Sequence, residues 1–217
     1  VTSLLTDLSI FQPTPAQEAV LGNLPPQFAE PLRAALTSPP STVDFLRRNS
    51  GVFPYQSRVW RFSLRLDHAL GADERDRLFF RHGFAHANES NANIRALVGA
   101  SRGTDENTLD PTTIAGWTRT FSPRAFNQAH VQWGYRRFKV NSLDTFGPEI
   151  RIAGFGVFNR DINLPSANIE RRYEIRDVFT RLAGRHTFKA GGSVLVRGAY
   201  SRSEVFFPGR FTFGDLP

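Results

Sequence analysis

From Arg58 onward, apolar and polar positions alternate with a period of two. In RVWRFSLRLD, Trp60, Phe62, Leu64 and Leu66 fall on one face, and Arg61, Ser63, Arg65 and Asp67 on the other. That pattern predicts a strand with one apolar face and one strongly charged face. After the polar turn GADERD, RLFFRHGFAH repeats it. Leu78, Phe80 and Phe84 oppose Arg77, Arg81 and Gly83, and only Phe79 breaks the polarity. A second hairpin runs from TTIAGWTRTF through the turn SPRAFN to QAHVQWGYRRFKV, where Ala129, Val131, Trp133 and Tyr135 oppose His130, Gln132, Gly134 and Arg136. In a third, RRYEIRDVFTRL alternates more weakly. It turns at Ala183-Gly184-Arg185 into HTFKAGGSVLVRG, with Phe188, Ala190, Val194 and Val196 against Thr187, Lys189, Ser193 and Arg197. Six strands are therefore expected, at about 58–69, 76–87, 112–121, 128–140, 171–182 and 186–199.

Their length of roughly 9–13 residues exceeds the ~5–6 usual in soluble proteins and matches the ~9–11 that cross a bilayer at a tilt. The connections alternate too. Short turns close each hairpin, whereas long, polar, irregular stretches, about 88–111 and 141–170, separate the hairpins. Short turns on one side and long loops on the other are the asymmetry of an outer-membrane barrel. Residues 1–57 are rich in proline and read as a further extracellular loop with two short helices. One is capped by Thr14 with Pro15 in its first turn, and the other runs from Pro26 to about Leu36. The expected fold class is all-β: an antiparallel, up-and-down transmembrane β-barrel segment over 58–217, an open curved sheet when taken by itself. Six strands are too few to close, since the smallest such barrels have eight.

A soluble β-sandwich also alternates. The barrel reading rests on the kinds of residue that share a face. Trp60, Phe84, Trp117, Trp133, Tyr135 and Tyr173 lie on the apolar side near strand ends, as membrane-interface aromatics do. Arg61, Arg65, Arg81, Arg136 and Arg197 recur on the opposite side as candidate lumen-facing, ligand-binding groups. Arg137 falls on the apolar face, placed to snorkel toward anionic headgroups.

Composition narrows the chemistry. The net charge of +7 comes from 27 basic against 20 acidic residues, and only Lys139 and Lys189 among the bases are lysine. With no cysteine, disulfides, thiol nucleophiles and Cys-ligated metals are excluded. His82 and His86 share a face about 13 Å apart at the ~3.3 Å strand rise, too far for one metal, and His68, His130 and His186 are scattered. GASRG lacks the Lys-Ser/Thr ending of a P-loop, no G-x-S-x-G occurs, and Asp73-Glu74 and Asp105-Glu106 lie in turns or loops. No enzyme, metal or cofactor is expected. The phrases Tyr135-Arg136-Arg137-Phe138-Lys139 and Arg171-Arg172-Tyr173 suit nucleic acid in isolation, but basic charge is spread over every strand, so no nucleic-acid partner is expected.

Several phrases carry a family resemblance: LRLDHALGADERDRLFFRHGFAHA, WTRTFSPRAFNQAHVQWGYRRF, ERRYEIRDVFTRLAGRHTFKAGGSVLVR and PGRFTFGDL. Over about 49–216 they resemble barrel hairpins of Oar-like TonB-dependent receptors. That resemblance implies a large outer-membrane barrel with an N-terminal plug, energised through a periplasmic TonB box. It also implies that outer-membrane lipid, the TonB complex and a bulky transported solute are the partners. Plug, TonB box and signal peptide are not in these 217 residues, so an internal piece of a longer protein is expected. The alternative is a soluble or cell-surface all-β module that binds an acidic polymer.

Overall fold

The computed structural model describes residues 12–214. Six long strands form one antiparallel sheet: β1 (Gln56–Leu70), β2 (Asp76–Ala92), β3 (Thr104–Ser122), β4 (Ala125–Ser142), β7 (Ser166–Ala183) and β8 (His186–Ser203). Their order, β1-β2-β3-β4-β7-β8, follows the chain, as it must when each hairpin neighbours the next. β5 (Glu149–Ile152), β6 (Gly156–Phe158) and β9 (Arg210–Phe213) make a second, three-stranded sheet from loop residues. Every residue of the edge strands β1 and β8 is exposed, and among the described residues these two strands do not pair with each other.

The strands begin and end outside the expected limits. β2 runs to Ala92 and β3 starts at Thr104, so the irregular stretch expected over 88–111 shrinks to residues 93–103. β7 begins at Ser166 and β8 ends at Ser203. Alternation marks a strand only while its two faces meet different surroundings. Toward the loop end both faces are polar, as in Asn88-Glu89-Ser90 and Thr104-Asp105-Glu106-Asn107. There the ladder continues without a hydrophobic signal.

Three helices precede the sheet: α1 (Pro15–Gly22), α2 (Pro26–Leu36) and α3 (Pro40–Asn49). Thr14 caps α1 through a reciprocal pair, accepting from the Gln17 amide at 3.3 Å while its own amide donates to Gln17 Oε1 at 2.7 Å. Arg33 of α2 joins α1 through Glu18 at 3.1 Å. α3 is an addition to the two expected helices. Its sequence signal is Pro40 in the first turn with Leu46 and Asn49 three apart, the two residues it buries.

The core lies among the loops. Leu46 of α3 packs with Ile152 of β5 and Phe158 of β6, and the Phe45 ring meets Phe158 edge-on at 5.2 Å. Phe158 has no exposed surface. On β5, the fully buried Glu149 carboxylate binds Arg102, accepts from Arg210 Nε at 2.6 Å and pairs with Arg151 at 3.5 Å. Arg102 also reaches Asp161 at 2.8 Å. The Asn49 side chain accepts from the Ser101 amide at 2.8 Å, which ties α3 to the short 3-10 turn (Ala100–Arg102) before β3. The stretch expected to be irregular over 141–170 is thus partly a small folded cap, built by pairings distant in sequence. β5 runs antiparallel to β6 and parallel to β9.

Burial raises the Glu149 pKa, but the hydrogen bond from Arg210 and the charge of Arg102 outweigh it and hold the carboxyl below its ordinary value. A depressed folded value means that this stabilisation is fully present above the unfolded pKa of ~4.3 and is lost as pH falls through the folded value. The Gly99 and Val157 amides, which bond to Val157 O and Leu97 O at 2.9 Å, report on the cap. Their hydrogen-exchange protection, corrected for intrinsic pH dependence, is expected to be flat from neutral pH to about 5 and to drop in more acid solution. Unchanged protection to pH 3 would remove Glu149 as the anchor.

Candidate functional site: two faces of one sheet

Strand pairing decides which side chains share a face, because directly paired residues point the same way. One continuous row is Leu66–Phe80–Ala115–Val131–Ile175–Val194. The neighbouring row on the same face runs Leu64–His82–Thr113–Trp133–Tyr173–Val196. On this face the apolar stretches of β2, β3 and β4 stop at polar residues on both ends, while that of β7 is shorter, from Arg171 to Asp177. β2 is bounded by Asp76 and Asn88, β3 by Arg119 and Asn107, and β4 by Asn127 and Arg137. At the ~3.3 Å rise these windows are about 33–40 Å along the strand, and a 35–45° tilt reduces them to about 23–33 Å. That is the height of the apolar band of an outer-membrane barrel. Large side chains in it are exposed, including Val131, Ile175 and Val194 at 51%, 63% and 65%, which in water would be an unprotected apolar surface.

Polar groups within the band have cross-strand partners. His82 Nδ1 lies 2.9 Å from Thr113 Oγ1, and His86 Nε2 lies 3.0 Å from Asn107 Nδ2. Near the short turns, the Trp117 indole N–H donates to Asp76 at 2.8 Å, an amphipathic ring with its polar edge turned to the end of the band. Trp60, Phe84, Trp117, Trp133, Tyr135 and Tyr173 all lie on this face. Phe84, Trp133 and Tyr173 are mid-strand rather than near strand ends, because the strands extend beyond the apolar window. Trp133 and Tyr173 are a directly opposed pair.

The opposite face carries Arg61, Arg65, Arg81, Arg136 and Arg197. Arg65 forks onto Asp67 with two bonds of 2.8 Å, and its guanidinium carbon sits 5.3 Å from the Phe79 centroid. Phe79, the residue that breaks the alternation, lies flat over Gly116 and meets His130 edge-on at 5.6 Å. Any Cβ at 116 would overlap that ring. Gly116→Val is expected to displace Phe79 and destabilise the protein by about 1–3 kcal/mol, measured by denaturant unfolding. A neutral effect would show that the ring is not held there.

Arg65, Phe79, Arg81, Ile114, His130, Gln132, Glu174 and Arg176 line a hollow of about 340 Å³ on this face. Arg81 stands opposite Arg65, and Arg176 opposite His130. Among the described residues neither Arg81 nor Arg176 has a carboxylate within ion-pair distance. Toward the loops, Glu170 pairs with Arg197 at 3.2 Å and Arg172 at 3.5 Å, while Arg136 stands opposite Glu170. Arg61 and Arg81 flank a further hollow with Asp110. Five strands thus bring the arginines to one surface, though not to a single centre. Arg176 was not among the arginines expected on this face. Its signal was the weakly alternating RRYEIRDVF, where Arg171 and Asp177 on the apolar face obscure the period.

A profile of the family described as an outer membrane beta barrel domain matches residues 12–216. No curated protein and no solved structure shows significant similarity to the chain. The match covers nearly the whole chain, which therefore belongs to the outer-membrane β-barrel family and lies in the outer membrane. That placement removes the soluble-module alternative. It also accounts for the exposed apolar face, which is turned to lipid.

Proposed function

We propose that this outer-membrane barrel domain is part of a TonB-dependent receptor of the Oar-like type and serves the passage of a bulky solute. The observation that carries the reading is the asymmetry between the faces: a lipid-compatible band on one side and arginine-lined hollows on the other. Arg81 and Arg176, free of carboxylate partners among the described residues, are suited to anionic groups on the solute. Mixed signs along the same face, such as Glu170 beside Arg172 and Arg197, keep binding weak enough for release. The role proposed is conduction and recognition, with no chemical step. The folded cap around Phe158 and Glu149 lies on the extracellular side and makes first contact with the solute. Partners are outer-membrane lipid, the solute and the TonB complex, the last engaged by other parts of the protein. No nucleic acid is involved.

The test compares solutes depleted from a rich medium by wild-type cells, by cells lacking this protein and by cells lacking TonB. The same solutes are expected to remain in both mutant cultures. Solutes that need this protein but disappear normally without TonB would contradict energised transport and leave a passive pore.

A further inference from the structure

The lipid-facing side of the sheet is electrically lopsided along its height. At the short-turn end it carries two acids, Asp76 and Asp177, and two arginines, Arg119 and Arg181. Asp76 pairs with Arg119 at 3.6 Å, and Asp177 accepts from Asn127 at 2.6 Å. At the loop end the same face presents Arg58, Arg137, Lys139, Arg171 and Arg202. Asp105 lies on the same face, opposite Asn141 and one step beyond Lys139. Arg202 is neutralised by Glu204 at 2.7 Å, but among the described residues Arg137, Lys139 and Arg171 have no ion-pair partner.

Those three form a local cluster on β4 and β7. Tyr135 pairs with Arg171 and Arg137 with Ile169, so the two guanidinium stems are diagonal neighbours, ~7–8 Å apart at Cα. Lys139 stands one step further out, opposite Ala167. Arg137 donates through Nη2 to Asn107 Oδ1 at 3.1 Å, which aims the group, while its Nε is buried with no partner. A buried N–H without an acceptor is costly unless a ligand supplies one. Tyr135, opposite Arg171, and Tyr200, opposite Ile169, flank the cluster at the upper edge of the apolar window, where amphipathic rings meet headgroups.

We propose that Arg137, Lys139 and Arg171 form a binding site for the phosphate of an outer-leaflet lipid headgroup, with its acyl chains lying along the apolar face below. The charge complementarity is specific to this end of the band. Guanidinium groups bind phosphate oxygens through paired N–H donors, and the tyrosines stay at the water boundary. The inference rests on the outer-membrane placement and not on solute transport.

Full-length protein in detergent is titrated with diphosphorylated lipid A, and bound lipid is counted by native mass spectrometry. Removing each cation is expected to weaken binding roughly fivefold, and the triple R137A/K139A/R171A variant about a hundredfold. The turn-end double variant R119A/R181A is expected to bind as the parent does. Fully dephosphorylated lipid A is expected to bind as weakly as it does to the triple variant, and millimolar inorganic phosphate is expected not to displace the lipid. Parent-like binding by the triple variant, or by dephosphorylated lipid, would overturn the proposal. Complete displacement by inorganic phosphate would overturn it too, because the ligand would then be the free anion. Should the triple variant fail to fold, Arg171→Gln, at an exposed position, gives the same reading: unchanged affinity refutes the site.

Discussion

Val131→Arg is expected to destabilise the protein in a bilayer by about 2–4 kcal/mol, whereas Gln132→Arg, the next residue, is expected to cost less than about 1 kcal/mol. The two positions share a strand and differ only in face. Val131 sits in the row Phe80–Ala115–Val131–Ile175, near the middle of the apolar window on β4. A guanidinium there must be dragged through hydrocarbon or stay partly dehydrated. Gln132 lies beside Ile114 and Glu174 on the arginine-lined face, where water and a carboxylate are at hand. Unfolding from lipid vesicles by denaturant measures both. Equal penalties would mean that the faces are not separated by lipid and water.

The second large effect belongs to the loop cap. Phe158→Ala is expected to cost about 3–5 kcal/mol of local stability, as for other fully buried aromatics. Its ring fills the space between Phe45, Leu46 and Ile152, and a Cβ on Gly99 would run into it. Phe146→Ala removes an equally large side chain that is 86% exposed and is expected to change stability by less than about 0.5 kcal/mol. Hydrogen exchange of the Gly99 and Val157 amides separates the two variants. If Phe158→Ala leaves that protection intact, the cap is not held by this core.

These two regions differ in how far the sequence reveals them. Trp60-Arg61-Phe62-Ser63 or Ala129-His130-Val131-Gln132 shows which residues share a face, because lipid and water impose opposite demands on neighbours. The pairing order follows from short turns such as Pro123-Arg124 and Gly184-Arg185, which leave a hairpin as the only connection. Past the band the demand relaxes. Asn88-Glu89-Ser90-Asn91 continues β2 with no apolar alternation, so the strand ends were not legible. The cap was hidden for another reason. Glu149 meets Arg102 and Arg210 from opposite directions along the chain, and β5 pairs parallel with a strand that follows β8. No local window holds such a pairing. On the arginine-lined face, the five expected arginines were found by period, whereas Arg176 required the register of β7 against β4. Phe79, which looked like an error in the pattern, is explained only by the absent side chain of Gly116 across the strand pair.

The central claim is that this sheet separates lipid from water, one residue at a time. These 217 residues hold no cysteine, so once any cysteine elsewhere in the full-length protein is replaced by serine, single cysteines introduced along β4 report without background. In the full-length protein in intact outer membranes, cysteines at Gln128, His130, Gln132 and Arg136 should react with a charged, water-soluble maleimide. Those at Ala129, Val131, Trp133 and Tyr135 should be protected from it and react with a lipid-soluble one. A period of two through this segment is the predicted result. Aqueous labelling at 129, 131, 133 and 135, or uniform reactivity along the strand, would contradict the account.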